Sequence, residues 1–179
     1  MNNLGNVITL FALLAVSGSA RAQNNETNRG LAQRSVAKTF ASIDRVALTS
    51  PEGAFYAGAT DKRIVARDNA AMIVALTELF TASGDATKVG RAIRAGRYLK
   101  SMKDSDGCYG SPEDTLAMTG AAIALYKATA ATEWLREARA LVQASESMVL
   151  GDEARAQLAV YVHDLSVIDQ AAPTAIAQF

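Results

Sequence analysis

The sequence predicts an all-α protein of stacked helical hairpins forming a partial α/α toroid, and three observations carry that prediction. Alanine supplies 36 of the 179 residues, while aromatics make up 6% and proline occurs three times; that balance favours packed helices over sheet. Apolar residues recur at steps of three and four, the period of a helix with one buried face. A pair of such segments then returns 46 positions downstream, and a repeat of that length marks stacked supersecondary units.

Composition narrows the function classes. The length fits one domain, and 50% hydrophobic residues is too high for a disordered chain. Lys+Arg and Asp+Glu both number 18, which argues against nucleic acid or an anionic membrane surface as the main partner, since either selects a basic face. The single cysteine, Cys108, excludes an intrachain disulfide and a cysteine-based metal cluster. No metal-ligand spacing, nucleotide loop, serine nucleophile elbow or dinucleotide fingerprint occurs, so no metal or cofactor is expected.

Residues 1–22 read as a secretory signal. Val7 to Val16 is an apolar run too short to span a bilayer comfortably, and the small residues after it end in Ala20-Arg21-Ala22, with cleavage expected before Gln23. The expected protein is periplasmic or secreted, with no membrane partner after cleavage, because no later stretch reaches about 18 uncharged apolar residues.

Residues 23–172 are expected to form the helical domain. Val36, Phe40, Ile43 and Ala47 share one helical face, and Ser50-Pro51-Glu52-Gly53 stops that helix. Ala54 to Val65 is a loop or short extended piece. Asp68-Asn69 opens an apolar segment that runs to Phe80 and ends at Ser83-Gly84-Asp85. From about Thr87 to Met102 a second helix turns Val89, Ala92, Ile93, Gly96 and Leu99 inward and presents Arg91, Arg94, Arg97 and Lys100 as a solvated stripe.

After a turn-rich loop over Asp104 to Pro112, the pair recurs. Glu113-Asp114 opens an uncharged helix over Thr115 to Tyr126, Ala130-Ala131 makes the turn, and an amphipathic helix over Thr132 to Ser145 points Trp134, Leu135, Ala138, Leu141 and Val142 inward. A shift of 46 superposes Asp68 on Asp114, Met72 on Met118, Leu79 on Leu125 and Ala92 on Ala138. A last helix, Asp152 to about Ile168, places Ala154, Leu158, Tyr161 and Leu165 on one face, and residues 173–179 are expected to be a loose tail. Three hairpins cannot cover apolar inner helices on every side. Either a homodimer closes the arc or the terminal helices fold over the gap.

Gly53-Ala54-Phe55-Tyr56, Arg67-Asp68-Asn69-Ala70-Ala71-Met72-Ile73 and Leu79-Phe80-Thr81-Ala82-Ser83-Gly84-Asp85 form one set of segments. Asp104-Ser105-Asp106-Gly107, Glu113-Asp114, Leu125-Tyr126-Lys127-Ala128-Thr129 and Glu133-Trp134-Leu135 form another. In order and spacing these resemble the helical-hairpin domain of exported or organellar proteins that carry an N-terminal thioredoxin-like domain, which are similar to N-acylglucosamine 2-epimerases and the six-hairpin glycosidase-like group. The resemblance spans about Gly53 to Val142 and implies an α/α toroid fold. The chain departs from that group in having no Cys-x-x-Cys pair, about three hairpins instead of about six, and its only histidine, His163, outside the matched stretch. Asp106-Gly107-Cys108-Tyr109-Gly110 also resembles the Asp-Gly-Gly-aromatic-Gly loop of the prenyltransferase and terpene-cyclase repeat, another toroid.

Asp68 and Asp114 stand at equivalent helix starts. As a catalytic pair facing one concavity they would suit acid/base attack on a glycosidic bond; as helix caps each would contribute about 1 kcal/mol. Phe55, Tyr56 and Tyr109 are candidate sugar-binding platforms, or plugs that seal the core. Asn69, Asp106 and Glu113 border the same end and complete the candidate binding set. Cys108 reads as a buried filler, His163 as a surface or half-buried side chain. Two functions follow as expectations: an exported non-catalytic module that binds a glycan or a protein partner in its concave face, or a small carbohydrate-active enzyme using the paired carboxylates. Ligand is expected at the Asp68/Asp114 end and not on the Arg91–Lys100 stripe.

Overall fold

The structure, a computed structural model, describes residues 49–58 and 60–176. The signal segment, the Val36–Ala47 face and residues 177–179 lie outside it. The described residues form five helices: α1 (Ala66–Ser83), α2 (Ala86–Lys100), α3 (Pro112–Thr129), α4 (Thr132–Glu146) and α5 (Asp152–Ile176). Extended pairing among them is limited to one antiparallel bridge, Thr49 with Phe55. None of these helices is long and apolar enough to cross a membrane.

The sequence repeat is a structural repeat. α1 and α3 are each 18 residues long, α2 and α4 each 15, and all four boundaries move by the same 46 positions. The turns repeat atom for atom. Gly84 and Ala130 take the left-handed conformation, with φ of 71° and 54°, and each donates its N–H to the carbonyl four residues back, Phe80 and Tyr126. Ser83 and Thr129 each donate a hydroxyl to the carbonyl of Leu79 or Leu125, at 2.6 and 2.7 Å, and accept the N–H of the second residue on at 3.2 Å. Glycine enters that conformation freely, whereas alanine pays roughly 1–2 kcal/mol for it.

The helix starts differ from the sequence reading. α1 begins at Ala66 and α3 at Pro112, two residues or more before the apolar runs, because the first turns bury the polar Asn69 and Thr115 and carry no apolar period. Neither Asp68 nor Asp114 is the cap. Val65 precedes α1 without a side-chain cap, and Ser111 caps α3 by accepting the Asp114 N–H at 3.1 Å, with Pro112 at the first helical position.

α1 and α3 make the most extensive helix contact and form an inner layer, while α2 and α4 pack outside as the return arms of two hairpins. Ile73, Leu76, Leu99, Met118, Leu125 and Leu141 fill the interior. Trp134 is buried between the outer helices, as its spacing predicts, and lies so close to Gly96 that a Cβ there would sit 2.8 Å from its Cη2.

α5 packs against α3 and α4. Leu158, Tyr161, Leu165 and Ile168 pack on Ala122, Ile123, Ala138 and Val142. Lys127–Asp164 at 2.8 Å and an Arg139–Asp169 pair tie its outer edges. The helix runs to Ile176, past the end near Ile168 that the apolar spacing predicts. His163 is exposed on its outer face.

Candidate functional site

Two-residue turns make each hairpin antiparallel, so α1 and α3 run in the same direction and present their amino termini at one end of the molecule. The loop between α2 and α3 crosses that end. Asp104 organises it: its Oδ1 accepts the N–H groups of Asp106 at 3.0 Å and Cys108 at 2.8 Å, while its own N–H donates to the Cys108 carbonyl at 2.9 Å. Thr115 Oγ1 then accepts the Tyr109 N–H at 3.0 Å and donates to the Ser111 carbonyl at 3.0 Å. Gly110, between Tyr109 and the cap, has φ of 74° and makes the sharp turn that leads into α3.

These elements enclose a shallow depression of about 330 Å³ lined by Ile64, Val65, Ala66, Met102, Tyr109, Gly110 and Asp114. The lining is mostly apolar. Asp114 brings the one carboxylate, and its buried Oδ1 has no hydrogen-bond partner among the described residues. An acceptor left in that state seeks a donor, since a buried unpaired polar atom costs roughly 1–3 kcal/mol.

The structure brings two of the eight sequence candidates, Tyr109 and Asp114, into this depression. Asp68 lies at the same end, half-buried in the first turn of α1, but does not line it. Phe55 and Asn69 are buried and serve each other: Asn69 Oδ1 accepts the Phe55 N–H at 2.7 Å, and its Nδ2 donates to the carbonyls of Phe55 at 2.9 Å and Val65 at 3.0 Å. Phe55 is thus packed in the core, and both amide hydrogens of the buried Asn69 are taken up by backbone carbonyls. Tyr56 is half-buried beneath the Lys62 ammonium, 4.7 Å from its ring centroid. Asp106 and Glu113 are exposed and stand outside the depression.

Cys108 is buried, as expected of a filler, and burial, together with the nearby Asp104 and Asp106 carboxylates, pushes its thiol pKa up. That is the opposite of what a nucleophilic thiol requires. No group of three or more His, Cys, Asp and Glu side chains that could hold a metal ion occurs among the described residues.

The sequence reading missed Glu137. This α4 carboxylate is 6% exposed and accepts Lys103 Nζ at 2.9 Å, with Lys100 Nζ at 3.5 Å from its second oxygen. Position 137 lies three residues after Trp134 and four before Leu141, on the flank of the apolar stripe, and that placement was the available signal. The basic stripe is correspondingly less solvated than predicted. Arg94 and Arg97 face water, but Arg91 lies 5.4 Å from the Phe55 ring centroid and Lys100 lies 5.7 Å from that of Trp134.

Comparison with protein-family models, with curated proteins and with solved structures finds no match to this chain.

Proposed function

We propose that this chain is an exported, non-catalytic helical-hairpin module that captures a donor-bearing side chain of a protein partner in the depression at the amino-terminal ends of α1 and α3. The observation that carries the reading is the unpaired, buried Asp114 Oδ1 within an otherwise apolar lining. A lysine, arginine or amide brought there would satisfy the oxygen while its stem or neighbours cover Ile64, Val65 and Met102. A sugar ring fits less well, because the Phe55 and Tyr109 rings are taken up in the core. The paired-carboxylate enzyme reading has one carboxylate in the depression where acid/base hydrolysis needs two.

Two further parts belong to the same reading. The hairpins are taken as consecutive units of a partial α/α toroid akin to the six-hairpin glycosidase-like group, supported by the uniform 46-residue displacement of four helix boundaries. Export is supported by the apolar run Val7 to Val16 before Ala20-Arg21-Ala22, and intact mass of the exported protein should begin at Gln23.

The binding test uses peptide and glycan arrays probed in parallel with the wild-type chain and with Asp114→Asn. Peptides carrying lysine or arginine beside apolar residues should bind, and Asp114→Asn should weaken them about tenfold, the order expected for one charge-assisted hydrogen bond. Binding confined to glycans, or unchanged by Asp114→Asn, would overturn the protein-partner reading.

A further inference from the structure

The chain has five methionines, and the four among the described residues differ sharply in access. Met72 and Met118 are core side chains, 4% and 2% exposed, and Met148 is half-buried. Met102 is 41% exposed. It is also the one exposed large hydrophobic side chain that lines the Asp114 depression: Val149 sits in the loop before α5, and Val160, Val162 and Val167 lie on α5. The other sulfur carried by the α2–α3 loop, in Cys108, is buried.

The backbone around Met102 is fixed on both sides. Its N–H donates to the Leu99 carbonyl at 2.8 Å, and the next residue, Lys103, is anchored through its ammonium on the buried Glu137 at 2.9 Å. A chemical change in the Met102 side chain therefore falls on the depression and is not relieved by a shift of the loop. Its neighbours in the lining include the apolar Ile64, Val65 and Ala66.

A thioether is oxidised where a peroxide can reach it. The sulfur lone pair attacks one oxygen of hydrogen peroxide, the O–O bond breaks, and the proton on the transferred oxygen passes to the departing one. The sulfide becomes a sulfoxide and the peroxide is reduced to water. A flexible apolar contact is thereby replaced by a polar one with an added acceptor oxygen. A ligand stem laid over Met102 would have to strip water from that oxygen without offering it a donor, which disfavours binding.

We propose that Met102 is an oxidation switch on the Asp114 depression: hydrogen peroxide converts it selectively to the sulfoxide, which lowers the affinity of the depression for its partner, and reduction restores it. The switch rests on the partner-binding function proposed above.

The experiment treats the full chain with dilute hydrogen peroxide and follows it in two ways. Mass spectrometry of proteolytic fragments should show one added oxygen on Met102 ahead of Met148, Met72 and Met118. Fluorescence anisotropy with a labelled peptide carrying lysine between leucines should show binding weakened about fivefold or more after oxidation, and recovered after methionine sulfoxide reductase with a dithiol. Met102→Leu, whatever its starting affinity, should bind equally before and after peroxide, and Met148→Leu should respond as the unaltered chain does. Oxidation of Met148 ahead of Met102, affinity that survives conversion of Met102, or an equal loss in Met102→Leu would overturn the switch alone. Absence of peptide binding by the unoxidised chain would overturn the partner-binding function and the switch with it. Thermal denaturation before and after peroxide separates local from global effects: a weakened affinity accompanied by an unfolded chain would also overturn the switch.

Discussion

Asn69 and Thr115 stand 46 residues apart at the same position of successive inner helices, and each accepts a hydrogen bond from the backbone N–H of a buried aromatic residue in the preceding loop. Asn69 Oδ1 takes that of Phe55 at 2.7 Å and Thr115 Oγ1 that of Tyr109 at 3.0 Å. Both side chains are fully buried. The loops differ in length, with the aromatic 14 residues before Asn69 and 6 before Thr115, so the two units reach one solution with different chemistry. The longer amide also bonds two carbonyls, Phe55 and Val65, where the hydroxyl bonds one, Ser111.

Asn69→Ala should therefore cost more than Thr115→Val. The first leaves the Phe55 N–H and carbonyl buried without partners, while the Val65 carbonyl keeps the backbone N–H of residue 69 at 3.1 Å, and about 2–3 kcal/mol is expected; the second keeps the shape and strands one N–H, for roughly 1–2 kcal/mol. Urea denaturation of both variants gives the comparison, and equal losses would contradict this account of the loops.

Gly120 is where the repeat yields to its surroundings. The equivalent α1 position is Val74, but at Gly120 a Cβ would sit 2.5 Å from the Tyr161 hydroxyl oxygen and 3.0 Å from the ring carbon bearing it. Gly120→Ala is thus expected to push α5 off α3, at a cost of about 1–3 kcal/mol. The intrinsic helix gain of alanine over glycine, about 1 kcal/mol, offsets part of it. Hydrogen exchange should show α5 opening while α1 and α2 keep their protection, and Tyr161→Phe in the same chain should recover part of the loss by removing the nearest atom. Uniform loss of protection across all five helices would place the strain elsewhere.

How much of this was legible follows the same physics. The repeat, the turn at Ala130-Ala131, the burial of Trp134 and the α5 face of Leu158, Tyr161 and Leu165 could be read because each rests on apolar spacing. The helix starts at Ala66 and Pro112 could not, since the residues their first turns bury include the polar Asn69 and Thr115, which carry no apolar period. Candidate residues fared worst where polar chemistry was turned inward. Asn69 reads as a ligand-facing amide, but its partners lie 14 and 4 residues away in sequence and are backbone atoms. Glu137 reads as one of several acids on an outer helix, because its two lysines belong to another helix and the loop after it. Asp68 and Asp114 share a register, yet the α2–α3 loop crosses only the second, and that asymmetry is invisible in a shift of 46.

Cys108 should be inert in the folded protein. It is buried, and burial together with the Asp104 and Asp106 carboxylates disfavours its thiolate. Modification by a thiol reagent at pH 8 should run at least a hundredfold slower than in urea, tracking opening of the α2–α3 loop. Asp104→Asn, which removes one of the two nearby carboxylate charges, should quicken it modestly; rates in the native protein close to those of the unfolded chain would show the thiol to be accessible.

Tyr109 gives a prediction with a defined pH window. Its side chain is 5% exposed, and its hydroxyl is buried beside the Glu137 carboxylate. Burial first, and then the nearby Glu137 carboxylate, raise its pKa well above the ordinary value near 10. The unfolded chain therefore gives up this proton at lower pH than the folded one. Below about pH 10 both states keep it and stability is unaffected; as pH rises past 10 the unfolded state alone ionises, and stability falls. Tyr161, also raised chiefly by burial, contributes in the same direction. Tyr109→Phe removes a buried hydroxyl whose nearest charged neighbour is Glu137, so at pH 7 it should change stability by no more than about 1 kcal/mol, and it should flatten the decline above pH 10. Urea midpoints measured from pH 7 to 11 on both proteins decide this. A large destabilisation at pH 7 would mean that the hydroxyl has a partner, and parallel alkaline declines would mean that Tyr109 ionises as readily folded as unfolded.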